Sequence, residues 1–541
     1  MNNAIIHLSQ PGNEPIYNYK PGTKEHKALM DELERQSGEM IEIPLIIDGK
    51  EVRTGNTGYV TMPHNHQHKL AMYHKAGENE VKMAIDASLR AKEHWMNMSW
   101  IERASIFKKV SELISQKYRY LINASTMLGQ GKNAFQSEID SVCEVVDFLR
   151  FNAYFASQIY NQQPDSANDA FNRVEYRPLE GFVLAISPFN FTAIGLNLAA
   201  SPAIMGNTIV WKPATTSLLS NYYLMKIYKE AGMPDGVINF IPGSGAQIGD
   251  IAIHHPLFAG VHFTGGTNTF NSIWKKIIGN LENYRSYPKI VGETGGKGFV
   301  FVHKSADPRQ VAIAILKGAF EYQGQKCSAA SRAYIPASLW SAVKSILQEE
   351  VATIKMGDVK DVQNFMNAVI DEASYNNIMS YISYAKASSE AEIVTGGNGN
   401  NSVGYFVEPT IVKTNNPHFK LLEEEIFGPV MTIFVYEDEK LEETLKICDE
   451  TSPYALTGAI FAEKREDLVY MCRILRYAAG NFYYNDKPSG AMVGLQPFGG
   501  ARMSGTNDKA GGFMNLIRWV SPRTIKETFN PSEDYRYDYM K

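Results

Sequence analysis

From Gly181 to Trp211 the chain carries no charged side chain. An apolar run of that length suggests a membrane helix on length alone, but Pro188, Pro202, Asn190, Asn197 and Asn207 interrupt it. The run is therefore predicted to divide into a strand (181–187), a Pro-Phe-Asn-Phe loop, a small-residue helix and a second strand (207–212). Strands without charge on either face belong in a parallel sheet covered on both sides, so the segment reads as a buried β-α-β unit.

The same rhythm continues downstream. Residues 237–241 lead into Gly243-Ser244-Gly245 and a helix, and residues 260–264 lead into Gly265-Gly266-Thr267 and another. Glycine turns at the carboxyl ends of strands, with helix N-termini behind them, are the layout of a dinucleotide-binding sheet. The spacing Gly243-x-Gly245-x-x-x-Gly249 is not a clean Gly-x-Gly-x-x-Gly and by itself signals a turn. Alternation of strand and helix resumes after about residue 300 and runs to about 500, which predicts a second α/β domain. A chain of 541 residues exceeds what one core usually supports, consistent with two or three units.

Upstream, residues 1–60 are polar and irregular and are expected to wrap over a domain surface. Residues 79–97, 100–116 and 134–160 space apolar side chains three and four apart and are predicted as amphipathic packing helices. Residues 161–180 read as a loop leading into an alternating strand, and 515–524 alternate before a Tyr-rich tail. These two arms would pair either between subunits or as a local hairpin.

A net charge of −5 offers no broad attraction for nucleic acid or anionic lipid, and 44% apolar with 21% charged residues is ordinary for a soluble enzyme. Cys143, Cys327, Cys448 and Cys472 are too scattered for a disulfide framework or a zinc cluster and suit a reducing compartment. The N-terminus has neither a basic start before an apolar core nor an Arg-rich character, so the expected location is cytoplasmic. His64, His66 and His68 would share one face of an extended segment, but no Asp, Glu or Cys completes a ligand set, and no metal is expected.

Cys327 lies in Gly-Gln-Lys-Cys-Ser (324–328), and Glu293 follows a predicted strand and precedes Gly295-Gly296. A thiol with a carboxylate supplies covalent aldehyde oxidation: the thiol attacks a carbonyl, a nicotinamide takes a hydride, and the carboxylate activates water. A thiol needs a polar or positive setting to be nucleophilic at neutral pH, and the tight Gly324-Gln325 backbone with nearby amides is expected to supply it. A cofactor-independent cysteine hydrolase of activated esters would use the same pair, and a binding protein could keep the scaffold alone.

The ordered motifs Pro-Phe-Asn-Phe (188–191), Trp-Lys-Pro-Ala (211–214), Phe-Thr-Gly-Gly (263–266), Glu-Thr-Gly-Gly-Lys (293–297), Gly-Gln-Lys-Cys-Ser (324–328) and Glu-Ile-Phe-Gly-Pro (425–429) resemble the aldehyde dehydrogenase superfamily across nearly the whole chain. Residues 496–509 and Pro-His-Asn-His-Gln-His (63–68) resemble its branch that oxidises L-glutamate gamma-semialdehyde, the open form of 1-pyrroline-5-carboxylate, to glutamate in proline breakdown.

The resemblance implies an aldehyde-dehydrogenase-like α/β fold with three parts. These are a Rossmann-type NAD-binding domain (1–160 and 181–295), an α/β catalytic domain (296–514) and β oligomerisation arms (161–180 and 515–541). It implies Cys327 as nucleophile, Glu293 as base, and the Asn190 amide with the Cys327 N–H as oxyanion donors. Lys212 would hold the adenosine ribose, and Glu425 with Phe427 the nicotinamide ribose. Ser187, Gly265, Gly266, Thr267, Asn268, Thr269 and Thr294 complete the implied cofactor set. Ser328 with the Gly490 and Ala491 amides would anchor the substrate carboxylate, between Phe191 and Phe498.

Two departures from the pattern matter. Many NAD-preferring relatives place an acid three residues after the Lys, where this chain has Thr215, so NAD is implied by the branch and NADP is not excluded. Relatives often have Ser at the position of Ala491, so the anchor here lacks a hydroxyl worth about 1 kcal/mol. The closest competing reading is another semialdehyde or aliphatic aldehyde. The implied partners are a second copy of the chain, as a homodimer or higher homo-oligomer, and a separate proline dehydrogenase.

Overall fold

The computed structural model describes residues 6–541. The leader expectation begins in residues 1–5, which lie outside the described residues. Among the described residues no helix is long and apolar enough to cross a membrane.

The uncharged run folds as its breaks dictate. Strand Phe182–Ile186 is buried at every position and pairs in parallel with Thr208–Lys212, from Phe182 opposite Thr208 to Ile186 opposite Lys212. Helix Thr192–Ile204 crosses between them, its Pro202 lying in the final turn, where loss of an N–H is tolerated only at some cost in helix continuity. Strand Phe258–Thr264 flanks Phe182–Ile186 on the other side, and Lys289–Glu293 forms the sheet edge beyond it. Ile238–Phe240, Leu45–Ile47 and Lys50–Val52 extend the opposite side to seven strands. The strands from 182 to 293 are parallel, so their carboxyl ends open on one crevice, the usual ligand position in such sheets.

A second seven-stranded sheet runs in the order Ala391–Thr395, Thr410–Thr414, Val430–Tyr436, Ala330–Pro336, Gly298–Val302, Thr457–Phe461, Asn481–Tyr484. All its pairings are parallel except the edge strand Ala391–Thr395. Glu293 ends the edge strand of the first sheet, and Cys327 lies in the turn before Ala330–Pro336 of the second.

Three expectations are corrected. Residues 24–60 are not irregular: Lys24–Ser37 is a helix, capped by the Thr23 hydroxyl on the His26 N–H, and four strands follow between Ile41 and Met62. That helix buries only Leu29, Leu33 and Gln36, so its polar sequence masked its period. The helix expected over 100–116 ends at Glu112 and passes through a wider turn, Leu113–Tyr118, into an unforeseen helix, Arg119–Gln130. Residues Phe513–Ile517 are helical, so the second arm strand starts at Val520 rather than 515.

The two arms pair within the chain as an antiparallel ribbon, Ala170–Pro178 against Val520–Thr528. His66 and His68 each donate from Nε2 to a backbone carbonyl oxygen, of Asn401 (3.0 Å) and Ser37 (2.9 Å), whereas buried His64 faces Asp358 at 3.6 Å. The three rings therefore do not converge.

Candidate active site

Cys327 reaches the crevice through a tight turn. After helix Pro308–Phe320 the backbone turns left-handed at Tyr322, Gln323 and Gly324, with φ of 52°, 55° and 67°. Two non-glycine residues in that region are strained, and the Gln323 side-chain amide offsets this by donating to the Gly131 and Ala368 carbonyls. Gly324 admits no side chain, since a Cβ there would lie 2.3 Å from the Gly428 carbonyl oxygen. Gly296 has the same constraint, 2.1 Å from the Cys327 carbonyl oxygen. The glycine pair after Glu293 thus lets the two sheets approach.

The result is a 3.0 Å contact in which the Cys327 thiol donates to Glu293 Oε1. Burial raises the Glu293 carboxyl to about 7, opposed by the thiol hydrogen bond and by the charge of Lys509. Burial, and then the Glu293 charge, push the Cys327 thiol well above the ordinary thiol range. The expected activating environment is therefore not present in this arrangement: Cys327 rests as a neutral thiol with an acceptor already in place.

Asn190 is buried and donates from Nδ2 to the Gln325 carbonyl oxygen at 3.1 Å, two residues before the thiol. An amide nitrogen has two hydrogens, so one remains for a ligand. The loop carrying Asn190 is held from three sides. Asp140 accepts from the Thr192 and Ala193 N–H groups at 3.0 Å each, a carboxylate on a helix N-terminus. Gln130 donates to the Phe189 carbonyl oxygen at 2.7 Å, and Lys132, paired with Asp140 at 2.6 Å, lies over the Phe191 ring.

Cys327 opens on a cavity of about 240 Å³. Phe191, Ser328, Gly490, Ala491 and Phe498, singled out from the sequence, all line it. So do Glu144, Asp147, Lys326 and Lys487, which sequence reasoning missed. Lys326 and Lys487 share the Glu321 carboxylate at 3.1 and 3.0 Å, and burial lowers Lys326 to about 8. Glu144 is pushed well above the carboxylate range by burial and then by Asp140. Lys326 adjoins the nucleophile in sequence and could have been found there. Glu144 sits mid-helix without a motif and carried no signal.

The other implied residues gather along the carboxyl ends of the first sheet. Lys212 ends strand Thr208–Lys212, and among the described residues its ammonium meets no carboxylate within ion-pair distance; burial lowers its titration. Gly265 and Gly266 turn the chain into the 13-residue helix Thr267–Gly279, whose first turn holds Asn268 and Thr269, and no atom lies within 4 Å of a Cβ built on Gly266. Glu425, raised by burial to about 7, accepts from the Gly296 N–H at 2.8 Å. Phe427 is left-handed at φ 58° and meets Phe189 edge-on. Two residues are turned toward the protein: Thr294 donates to the Met503 carbonyl oxygen at 2.5 Å, and the Ser187 hydroxyl accepts from the Trp211 indole at 2.6 Å. A free helix N-terminus with open space, an unpaired lysine and a buried carboxylate are a donor and acceptor set that fits a dinucleotide.

The sequence profile of the aldehyde dehydrogenase family matches residues 52–525. The chain belongs to that family. Among relatives of this aldehyde dehydrogenase, the mitochondrial delta-1-pyrroline-5-carboxylate dehydrogenase of Dictyostelium discoideum is 52% identical over 541 residues, covering 99% of this chain and 97% of the relative. That of Agaricus bisporus is 51% identical over 537 residues, covering 99% and 98%. A crystal structure of the Delta-pyrroline-5-carboxylate dehydrogenase from Mycobacterium tuberculosis bound with NAD superposes with a TM-score of 0.96 at 44% identity, covering 100% of both chains.

Proposed function

We propose that this aldehyde dehydrogenase oxidises L-glutamate gamma-semialdehyde, the open form of 1-pyrroline-5-carboxylate, to L-glutamate with NAD. The observation that carries the reading is the 3.0 Å thiol–carboxylate contact at the end of a cavity lined by all five substrate residues read from the sequence.

Cys327 Sγ bonds to the aldehyde carbon while its proton passes to Glu293, and the carbonyl electron pair moves to oxygen. The Asn190 amide and the Cys327 N–H stabilise that oxyanion, an arrangement worth about 3 kcal/mol per donor elsewhere. A bound nicotinamide coenzyme would supply the hydride acceptor, and loss of hydride from the substrate carbon would leave a thioester on Cys327. Glu293, its first proton released to solvent, takes one from water, whose oxygen attacks the thioester carbon, and the sulfur leaves as a thiolate that regains that proton from Glu293. Lys212, Glu425 and Phe427, with the residues from Gly265 to Thr269, would hold the coenzyme; Thr215 supplies no charge to repel a 2′-phosphate, so NADP is the alternative coenzyme.

For the substrate, Ser328 and the Gly490 and Ala491 amides would take the carboxylate, and Phe191 and Phe498 the aliphatic chain. The Asp147 carboxylate on the same cavity suits the ammonium group, whose charge would also favour ionisation of Glu144, held neutral by burial. Turnover with glutarate semialdehyde, which lacks that ammonium, tests this: equal efficiency would replace the substrate with a simpler semialdehyde, and mass-spectrometric glutamate from pyrroline-5-carboxylate supports the reading.

We assign 1–160 with 181–295 to coenzyme binding, 296–514 to the catalytic domain, and 161–180 with 515–541 to assembly, and infer a homo-oligomer joined through the paired arms. A separate proline dehydrogenase is the inferred supplier of the substrate. The unpaired thiols support residence in a reducing compartment, the cytoplasm in our reading, which cell fractionation tests.

A further inference from the structure

A second cavity of about 40 Å³ adjoins the large one, the two sharing Phe148, Ile194, Phe498 and Ala510 in their walls. Glu293, Asn197, His262, Phe498, Asp508 and Lys509 are on its wall. The segment bringing Lys509 there is zipped onto the Glu293 strand: Gly505 bridges Glu293, Thr506 donates its N–H to the Gly292 carbonyl oxygen at 2.9 Å, and the Thr506 hydroxyl accepts from the Gly292 N–H at 2.9 Å. On its far side Ala510 and Phe498 exchange two backbone bonds of 2.8 Å.

The Lys509 ammonium is pinned by three neutral acceptors, the Gly480 and Gly499 carbonyl oxygens at 2.8 and 2.9 Å and Asn481 Oδ1 at 3.3 Å. All three of its hydrogens are thereby used, and it bonds directly to no carboxylate among the described residues. It is a fixed positive charge facing the pocket of the base without touching it.

We propose that Lys509 is a positioning residue for Glu293, holding the carboxylate ionised for thioester hydrolysis once acylation of Cys327 has removed the thiol hydrogen bond. The inference rests on the proposed role of Glu293. The other groups facing the carboxylate do not supply this charge. Cys327 is then acylated, Glu144 is a like charge when ionised, and Asp508 is held by Arg518 at 3.3 Å and by Thr506. His262, lowered by burial to about 3, is neutral. Among the described residues, Lys509 is the group whose charge opposes the burial that raises Glu293.

The test is the pH profile of kcat for NAD reduction with saturating pyrroline-5-carboxylate, in wild type, Lys509→Met, Lys509→Gln and Lys509→Arg. Loss of the charge is expected to move the acidic limb up by about one pH unit in the Met and Gln variants, and Arg to restore the wild-type limb. Gln keeps a donor for the carbonyls, so it separates charge from packing if the Met variant fails to fold. Unmoved limbs in the neutral variants, an Arg variant shifted as far as they are, or loss of folding in all three would overturn the proposal. Wild-type protein that reduces no NAD would instead defeat the proposed function, so the two failures are distinguishable.

Discussion

The Cys327 thiol donates to a Glu293 carboxylate oxygen at 3.0 Å, across the line where the edge of one sheet meets the turn before the central strand of another. Each group alone would be poorly suited to its task at neutral pH. Burial keeps the thiol protonated and raises the carboxyl to about 7, near the pH at which a base both accepts and releases a proton readily.

Glu293→Gln should slow steady turnover by about 10²–10⁴, and rapid mixing should show a slowed first turnover of hydride transfer as well, since Glu293 also takes the Cys327 proton. Because Glu293 must be ionised to act and its titration lies near 7, wild-type turnover should rise with pH through that value. A profile flat from pH 6 to 8 would remove Glu293 from the hydrolytic step.

Alkylation of Cys327 by iodoacetamide, followed by mass spectrometry, reads the same pair from the sulfur side. Below pH 7 Glu293 is largely neutral and Glu293→Gln should change little. Above it the wild-type carboxylate opposes thiolate formation, so the variant should react about tenfold faster. Equal rates above pH 7 would show that the carboxylate does not govern the thiol.

Much of this pair could be read from sequence because both residues sit in glycine-rich turns with a mechanical reason for each glycine, as at Gly296 and Gly324. The β-α-β reading of 181–212 held because its prolines and asparagines stand at element boundaries. Lys24–Ser37 was illegible, since a helix resting on three buried side chains looks polar throughout. The high titration of Cys327 was illegible for another reason: it depends on burial and on a residue from a different sheet.

In the proposed coenzyme site the choice between NAD and NADP would turn on Thr215, the first residue of the turn after Lys212-Pro213-Ala214. Thr215→Glu places a carboxylate near the adenosine ribose and should lower kcat/KM with NADP relative to NAD by about tenfold or more, as like charges repel. An unchanged ratio would move the 2′ position elsewhere.

The strap before the first helix is fixed by Arg119, whose buried guanidinium pairs with Glu138 and, at 2.7 Å, with Glu14. Arg119→Met leaves Glu138 buried without its ion-pair partner, while Glu14 keeps Arg150 at 2.6 Å, and should cost about 3–5 kcal/mol, read as a lowered Tm. Glu14 and Ile16 line the substrate cavity, so KM for the aldehyde should rise with it. An unchanged Tm would make the strap peripheral.

The most direct measurement is the appearance of reduced nicotinamide when purified protein, pyrroline-5-carboxylate and NAD are mixed, beside Cys327→Ala and a parallel assay with NADP. We expect reduction by the wild type and none by Cys327→Ala. Reduction that survives the loss of Cys327, or no reduction with either coenzyme, would contradict thiol-dependent oxidation of this substrate.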